Sequence, residues 1–170
     1  MDFKSFIRDV PNFPKEGIVF KDISPLLQNP KVLKSAVLEL TNFLGKQKID
    51  KVVGMESRGF LFGPMLAERL NAGFVPIRKP GKLPYRTLSE SYELEYGTDM
   101  LEIHIDGIVK GDRVLIHDDV LATGGTANAA CNLVEQLGGT IIQCNFLIEL
   151  SFLGGRAKIN PHEVKALMSY

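Results

Sequence analysis

A chain of 170 residues, 45% hydrophobic and 24% charged, has the composition of a globular domain and is too apolar for a disordered one. Twenty Lys+Arg against twenty Asp+Glu give a formal net charge of zero, which excludes a global field drawing in nucleic acid or an anionic membrane surface. The longest apolar stretch, 60–67, is broken by Gly63 and Pro64 and falls far short of the roughly 18 residues a membrane span needs.

The opening MDFKSFIRDV intersperses Asp2, Lys4, Arg8 and Asp9 among apolar residues and lacks a secretory core, so a cytoplasmic location is expected. Four prolines in the first thirty residues (Pro11, Pro14, Pro25, Pro30), mixed with Phe13, Ile18, Val19 and Phe20, predict an extended arm with turns. Asn29 then offers a cap, with Pro30 at the first helical position, and Leu33, Ala36, Val37, Leu40 and Leu44 follow at helical spacing until Gly45. Residues 51–55 (KVVGM) read as a buried strand, and GluSerArgGly at 56–59 turns into an apolar-periodic stretch ending near Leu70. A strand at 74–77 follows, and this alternation points to βαβ units with a parallel sheet.

From 80 to 98 the chain is rich in Pro, Ser, Tyr, Glu and Gly with weak alternation, which suits a long excursion or hairpin of the kind that carries function. A half-buried strand is expected at 101–105. A buried strand from Arg113 then ends in HisAspAsp, a small-residue loop opens a helix that runs to Gly138 and Gly139, and a strand at 140–149 completes the unit. Cys131 and Cys144 have no metal-ligand spacing and no further cysteines to join, so two reduced, packed thiols are expected. Nothing in the sequence divides the chain, so one domain is expected over 1–170.

The segment VLIHDDVLATGGTA (114–127) carries the chemistry. Asp118 and Asp119 sit at the carboxyl end of a strand, where open α/β sheets place ligands. Ala122, Thr123, Gly124, Gly125 and Thr126 then form a tight turn into a helix, whose first N–H groups favour a phosphate dianion. Together they suit a ligand with a phosphate at one end and hydroxyls or a bound metal at the other. No GlyLys precedes Thr126, so the loop is not a Walker loop, and it lacks the GxGxxG spacing of a dinucleotide fold.

VLIHDDVLATGGT resembles the phosphoribosyl-pyrophosphate motif of the type I phosphoribosyltransferases. FPKEGIVFKDISPLL (13–27), GMESRGFLFGPMLAERL (54–70), RKPGKLP (78–84) and SYELEYGTDMLEIH (91–104) extend the likeness, in order, to the adenine-specific branch of that family. The resemblance implies a mainly parallel α/β sheet flanked by helices, an amino-terminal hood (1–29) and a flap (80–100). The implied reaction joins adenine to phosphoribosyl pyrophosphate, giving AMP and pyrophosphate, with Mg²⁺ carried largely by substrate oxygens and with a homodimeric assembly.

By the same resemblance the loop 122–126 holds the ribose 5′-phosphate, Asp118 and Asp119 hold the ribose hydroxyls, and Arg58 is a pyrophosphate ligand with Ser57. The Glu56–Ser57 peptide is expected cis. Arg78, Lys79 and Lys82, otherwise a solvated charge run, also meet pyrophosphate. Glu95, with Tyr96 beside it, becomes the general acid/base at N7 of the purine; spacing alone does not separate Glu95 from Glu90, Glu93 or Glu102. Val19, Phe20 and Lys21 contribute backbone groups and a stacking ring to adenine. Against the usual pattern, His117 replaces an aliphatic residue, Glu56 an aspartate and Lys21 an arginine, and His117 is expected to make the field beside Asp118 pH-sensitive or otherwise altered. Two other readings are a non-catalytic sensor of the pyrophosphate donor and a transferase for another nucleobase. The sensor commonly carries an added DNA-binding segment, which is not found here, and the hood motif speaks against the other bases.

Overall fold

The Pro-rich start of the chain is more than an extended arm. A 3-10 turn at Lys4–Phe6 leads into an antiparallel hairpin of β1 (Arg8–Pro11) and β2 (Val19–Asp22), with Val10 opposite Phe20, in a computed structural model that describes residues 1–93 and 97–170. The Asn12 side chain accepts the Gly17 N–H at 3.0 Å, so the connection satisfies part of its own backbone. A short helix α1 (Ser24–Gln28) then runs directly into α2 (Pro30–Asn42).

Asn29 caps α2 as its position predicts. Its side-chain oxygen accepts the Lys31 and Val32 N–H groups at 3.1 and 3.3 Å, and Pro30 occupies the first helical position, where an N–H would lack an intrahelical acceptor. Val32, Ala36, Val37 and Leu40 form the buried stripe. Strand β3 (Lys51–Met55) is followed by a 3-10 turn at Arg58–Leu61, and α-helix α3 begins only at Gly63 and runs to Leu70. The apolar stretch read from the sequence is thus two pieces, because Pro64 is tolerated only in a first helical turn. Asn71, at φ 52°, ends α3 in the left-handed conformation.

β4 (Gly73–Ile77) precedes the long excursion, which is a hairpin of β5 (Thr87–Glu93) and β6 (Thr98–His104) paired from Thr87 with His104 to Glu93 with Thr98. The remainder is β7 (Arg113–Leu121), α4 (Gly125–Gln136), β8 (Thr140–Glu149), α5 (Arg156–Ile159) and β9 (Val164–Ser169). Strands β3, β4, β7, β8 and β9 form one parallel sheet in the order β4-β3-β7-β8-β9. From β3 the chain steps outward to β4, returns across β3 to β7, and continues the other way to β8 and β9. Such a reversal opens a crevice beyond the carboxyl ends of the two central strands.

Successive strand residues supply opposite faces of the sheet. Val53, Ile116 and Phe146 pack with α4 and β6, whereas Val52, Leu115 and Leu147 pack with α2 and α3. Cys131 and Cys144 are buried and free, with their sulfurs 3.7 Å apart. No helix among the described residues is long and apolar enough to cross a membrane. Replacing Asn29 with Ala removes the α2 cap and is expected to lower stability by about 1 kcal/mol, read as a lower urea midpoint; an unchanged midpoint would mean the cap contributes nothing.

Candidate active site

The crevice is floored by the end of β7. This strand does not end in HisAspAsp, as the sequence suggested, but pairs with β8 through Asp118 with Phe146 and on to Leu121 with Glu149. Strand β3 leaves β7 after the pair Gly54 with His117, so the sheet opens beside the carboxylates. The Asp118 side chain accepts the Asp119 N–H at 2.9 Å. A Cβ on Gly59 would lie 2.9 Å from the Asp118 carboxylate and 3.1 Å from the His117 carbonyl, which is why the turn after β3 can approach β7 only with a glycine there.

Burial drives the electrostatics. Asp118 is held well above the ordinary carboxylate pKa by removal from water and by the neighbouring Asp119 charge. Burial raises Asp119 as well, opposed by the Arg58 guanidinium. Arg58 Nε forms an ion pair with Asp119 Oδ2 at 2.9 Å, and among the described residues that buried oxygen accepts no hydrogen bond. A ligand hydroxyl would fill that deficit.

His117 does not supply a titrating neighbour. Its ring is fully buried, with Nδ1 2.7 Å from Asn145 Oδ1, while Asn145 donates through Nδ2 to the Leu40 carbonyl at the end of α2 at 3.1 Å. Burial pushes its pKa down to about 4, so the imidazole is neutral at physiological pH.

Residues 122–126 close into a cradle at the start of α4. Together with Asp118, Val120, Leu121 and Ala127 they line a concavity of about 70 Å³, into which the unpaired N–H groups of a helix start can point. Gly124 sits at φ 82°, and a Cβ there would strike the Gly155 carbonyl at 2.4 Å. A Cβ on Gly155 would in turn meet the Ala122 carbonyl at 2.2 Å. The turn at 154–155 therefore props the cradle from behind, a support outside the sequence motif.

A second cavity, about 340 Å³, adjoins the cradle and is lined by Glu56, Ser57, Arg58, Lys79, Tyr92 and the acid pair. The Glu56–Ser57 peptide is cis, as expected. Glu56, read from sequence only as a departure, gathers the basic run. It accepts Arg78 Nε at 3.3 Å and the Lys79 N–H at 2.8 Å, and it pairs with the Lys82 ammonium. Burial raises the Glu56 carboxyl, but these partners outweigh it and hold the group below its usual range. Lys79 pairs with Asp99.

A third cavity, about 600 Å³ and mostly apolar, lies between the β1–β2 hairpin and the segment after β8, with Val19, Lys21, Thr123, Leu150, Phe152, Leu153 and Tyr170 among its lining residues. Lys21 also pairs with Asp9 at 2.7 Å and lies over the Tyr170 ring at 4.1 Å. Phe20 faces the other way, with the Arg58 guanidinium 4.7 Å from its ring centre and Phe13 edge-on at 5.2 Å. Leu150, Phe152, Leu153 and Tyr170 gave no signal in the sequence, since their role depends on the chain returning beside a segment some 130 residues earlier.

Glu95 and Tyr96 lie outside the described residues. Two of the alternatives to Glu95 are otherwise engaged. Glu90 accepts from Asn132 and Gln136 of α4 at 2.8 and 3.0 Å, and Glu102 accepts the Gly81 N–H at 3.1 Å.

Comparison with known proteins places this geometry in a family. Residues 24–165 match the phosphoribosyl transferase domain. The adenine phosphoribosyltransferase of Flavobacterium johnsoniae is 64% identical over 170 residues, the whole of both chains. The crystal structure of adenine phosphoribosyltransferase from Thermoanaerobacter pseudethanolicus superposes with a TM-score of 0.97 at 51% identity, covering 99% of this chain and 98% of that one. The Saccharomyces cerevisiae enzyme, solved with an imino-altritol bisphosphate and adenine, gives 0.92 at 47% identity, covering 98% and 96%. With a shared parallel sheet, a matching domain and full-length identity of this order, the chain belongs to the adenine phosphoribosyltransferases of the type I phosphoribosyltransferase fold.

Proposed function

We propose that this chain transfers the 5-phosphoribosyl group from phosphoribosyl pyrophosphate to adenine, forming AMP and releasing pyrophosphate in purine salvage. The observation that carries the reading is the joining of three differently built cavities. The cradle shares Asp118, Val120, Ala122 and Thr126 with the cationic cleft, and Thr123 with the apolar cavity. One ligand set fits that order: a phosphate in the cradle, a leaving pyrophosphate on one side and a planar base on the other.

In this reading the 5′-phosphate is held by 122–126, and Asp118 and Asp119 take the ribose hydroxyls. The Asp119 Oδ2, which among the described residues accepts no hydrogen bond, suits that role. Both carboxylates also face the positive charge that develops on the ribose as the bond from C1 to pyrophosphate breaks. Ser57, Arg58, Arg78, Lys79 and Lys82 receive the leaving pyrophosphate, with Arg58 as a planar, bidentate donor. Adenine N9 attacks C1 while Glu95 shares a proton with N7, and Tyr96 accompanies it on the flap (80–100), whose closure excludes water from the ribosyl cation.

The hood (1–29) offers Val19 and Lys21 to the base from the apolar cavity, and Phe20, whose ring lies against Arg58, is the stacking ring that the family resemblance implies. A backbone carbonyl there would accept from the 6-amino group of adenine and leave the 6-oxo group of hypoxanthine or guanine mismatched. Among the described residues no cluster of three or more His, Cys, Asp or Glu is arranged to hold a metal, and the carboxylates at the crevice suit a hydrated cation carried by substrate. A Mg²⁺ ion bound to the donor's pyrophosphate oxygens would neutralise leaving-group charge. The groove between α2 and α3, where Leu33, Val37, Pro64 and Met65 are rimmed by Lys34, Glu68 and Arg69, is a face that the homodimer implied by the family could cover, and the place of action is the cytoplasm.

Purified protein given phosphoribosyl pyrophosphate and Mg²⁺ is expected to form a nucleotide from adenine and not from hypoxanthine, guanine or orotate. Product from none of them would overturn the transferase reading in favour of a sensor, and product from another base would overturn the hood's selectivity. Glu95→Gln is expected to lower kcat by about 10²- to 10⁴-fold while donor binding is retained; full turnover would remove Glu95 from the acid/base role.

A further inference from the structure

Lys79, one of the cations assigned above to pyrophosphate, already has an anionic partner within the chain. Its backbone N–H is fixed to Glu56 at 2.8 Å, while its ammonium pairs with Asp99. Asp99 is itself held in place. Oδ2 accepts the Tyr92 hydroxyl at 3.2 Å, Oδ1 accepts the Met100 N–H at 2.8 Å, and Tyr92 is its cross-strand partner in the β5–β6 hairpin. That hairpin is anchored on α4 through Glu90, and a Cβ on Gly125 of the cradle would come within 3.2 Å of the Tyr92 ring.

We infer that Asp99 is a positioning residue that competes with pyrophosphate for the Lys79 ammonium and so weakens the protein's grip on its own leaving group. The inference rests on the transferase reading. Lys79 and Tyr92 both line the cationic cleft, so a pyrophosphate bound there can reach the ammonium while the Lys79 backbone stays fixed to Glu56. To bind there it must replace a carboxylate that Tyr92 and Met100 hold at the ammonium. When pyrophosphate departs, Asp99 recovers the ammonium. The side chains of Lys79 and Asp99 are 45% and 22% exposed, so water screens the pair and the exchange is a modest correction to affinity rather than a block. The Asp99 bond also raises the Lys79 pKa, so the ammonium is charged while it is paired with Asp99.

The direction of the effect separates competition from simple support. Removing a supporting residue weakens pyrophosphate binding; removing a competitor strengthens it. Calorimetric titration of the intact protein with magnesium pyrophosphate is expected to show binding about two- to fivefold tighter for Asp99→Asn. Asp99→Glu, which keeps the carboxylate, should stay near wild type. In a Lys79→Gln background Asp99→Asn should change nothing, because the competitor has lost its target. The donor KM should fall with the pyrophosphate Kd in Asp99→Asn. Equal or weaker pyrophosphate binding by Asp99→Asn overturns the exchange and leaves the transferase reading intact. Tightening that persists without Lys79 also overturns it, since a general field would then be responsible. A wild-type protein that binds no pyrophosphate overturns the transferase reading itself.

Discussion

Two adjacent carboxylates at the end of a central strand, Asp119 buried and Asp118 half-buried at the crevice, are the constraint on which the rest of this structure depends. Asp118 and Asp119 repel one another and have lost water, and both are pushed toward their protonated forms. Several features accommodate them. Strand β3 ends early and opens the sheet beside them, Gly59 lets the following turn approach without displacing Asp118, and the Arg58 charge stands 2.9 Å from Asp119. A fold optimised for stability alone would fill these positions with apolar residues. Their retention at the mouth of a phosphate-sized cradle ties the cost to a ligand.

The cleft shows how a chain of zero net charge can handle a highly charged substrate. Cations and carboxylates are interleaved there, Arg58 with Asp119, Arg78 and Lys82 with Glu56, and Lys79 with Asp99. Local pairing holds each cation in position and limits the field it projects, so an anion gains affinity by exchanging partners. The phosphate cradle works differently, through backbone N–H groups that need no counter-ion. Anchoring at the cradle and exchange in the cleft suit a reaction in which one phosphate stays and the other group leaves.

Much of this was legible in the sequence where the signal is local. Asn29 and Pro30 mark the start of α2, the bounds of β3 and β8 follow from short apolar runs, and the acid pair ahead of a Gly-rich turn marks the cradle. The failures are non-local. Aspartate disfavours strands, yet pairing with β8 carries β7 through both acids and on to Leu121. β9 has a weak pattern of its own and exists through its pairing with β8. Glu56 and Asp99 meet their cations across 20 or more residues of chain, a distance over which spacing carries no information. The neutrality of His117 comes from its burial, which outweighs the opposing hydrogen bonds to Asn145, and neither is visible from a histidine beside two acids.

The central claim, that the acid pair is kept at the crevice against its own electrostatics, has a direct thermodynamic measure. Asp118 has a raised pKa in the folded chain, so the native state holds that proton more tightly than the unfolded state does. The penalty is absent below the ordinary carboxylate pKa near 3.8, where both states are protonated, and grows as pH rises through the raised value. Asp118→Asn keeps an acceptor for the Asp119 N–H and removes the charge. Chemical denaturation of wild type and Asp118→Asn across pH should show the variant more stable at neutral pH, with the gap closing in acid. A variant that is equally or less stable at neutral pH would contradict the account.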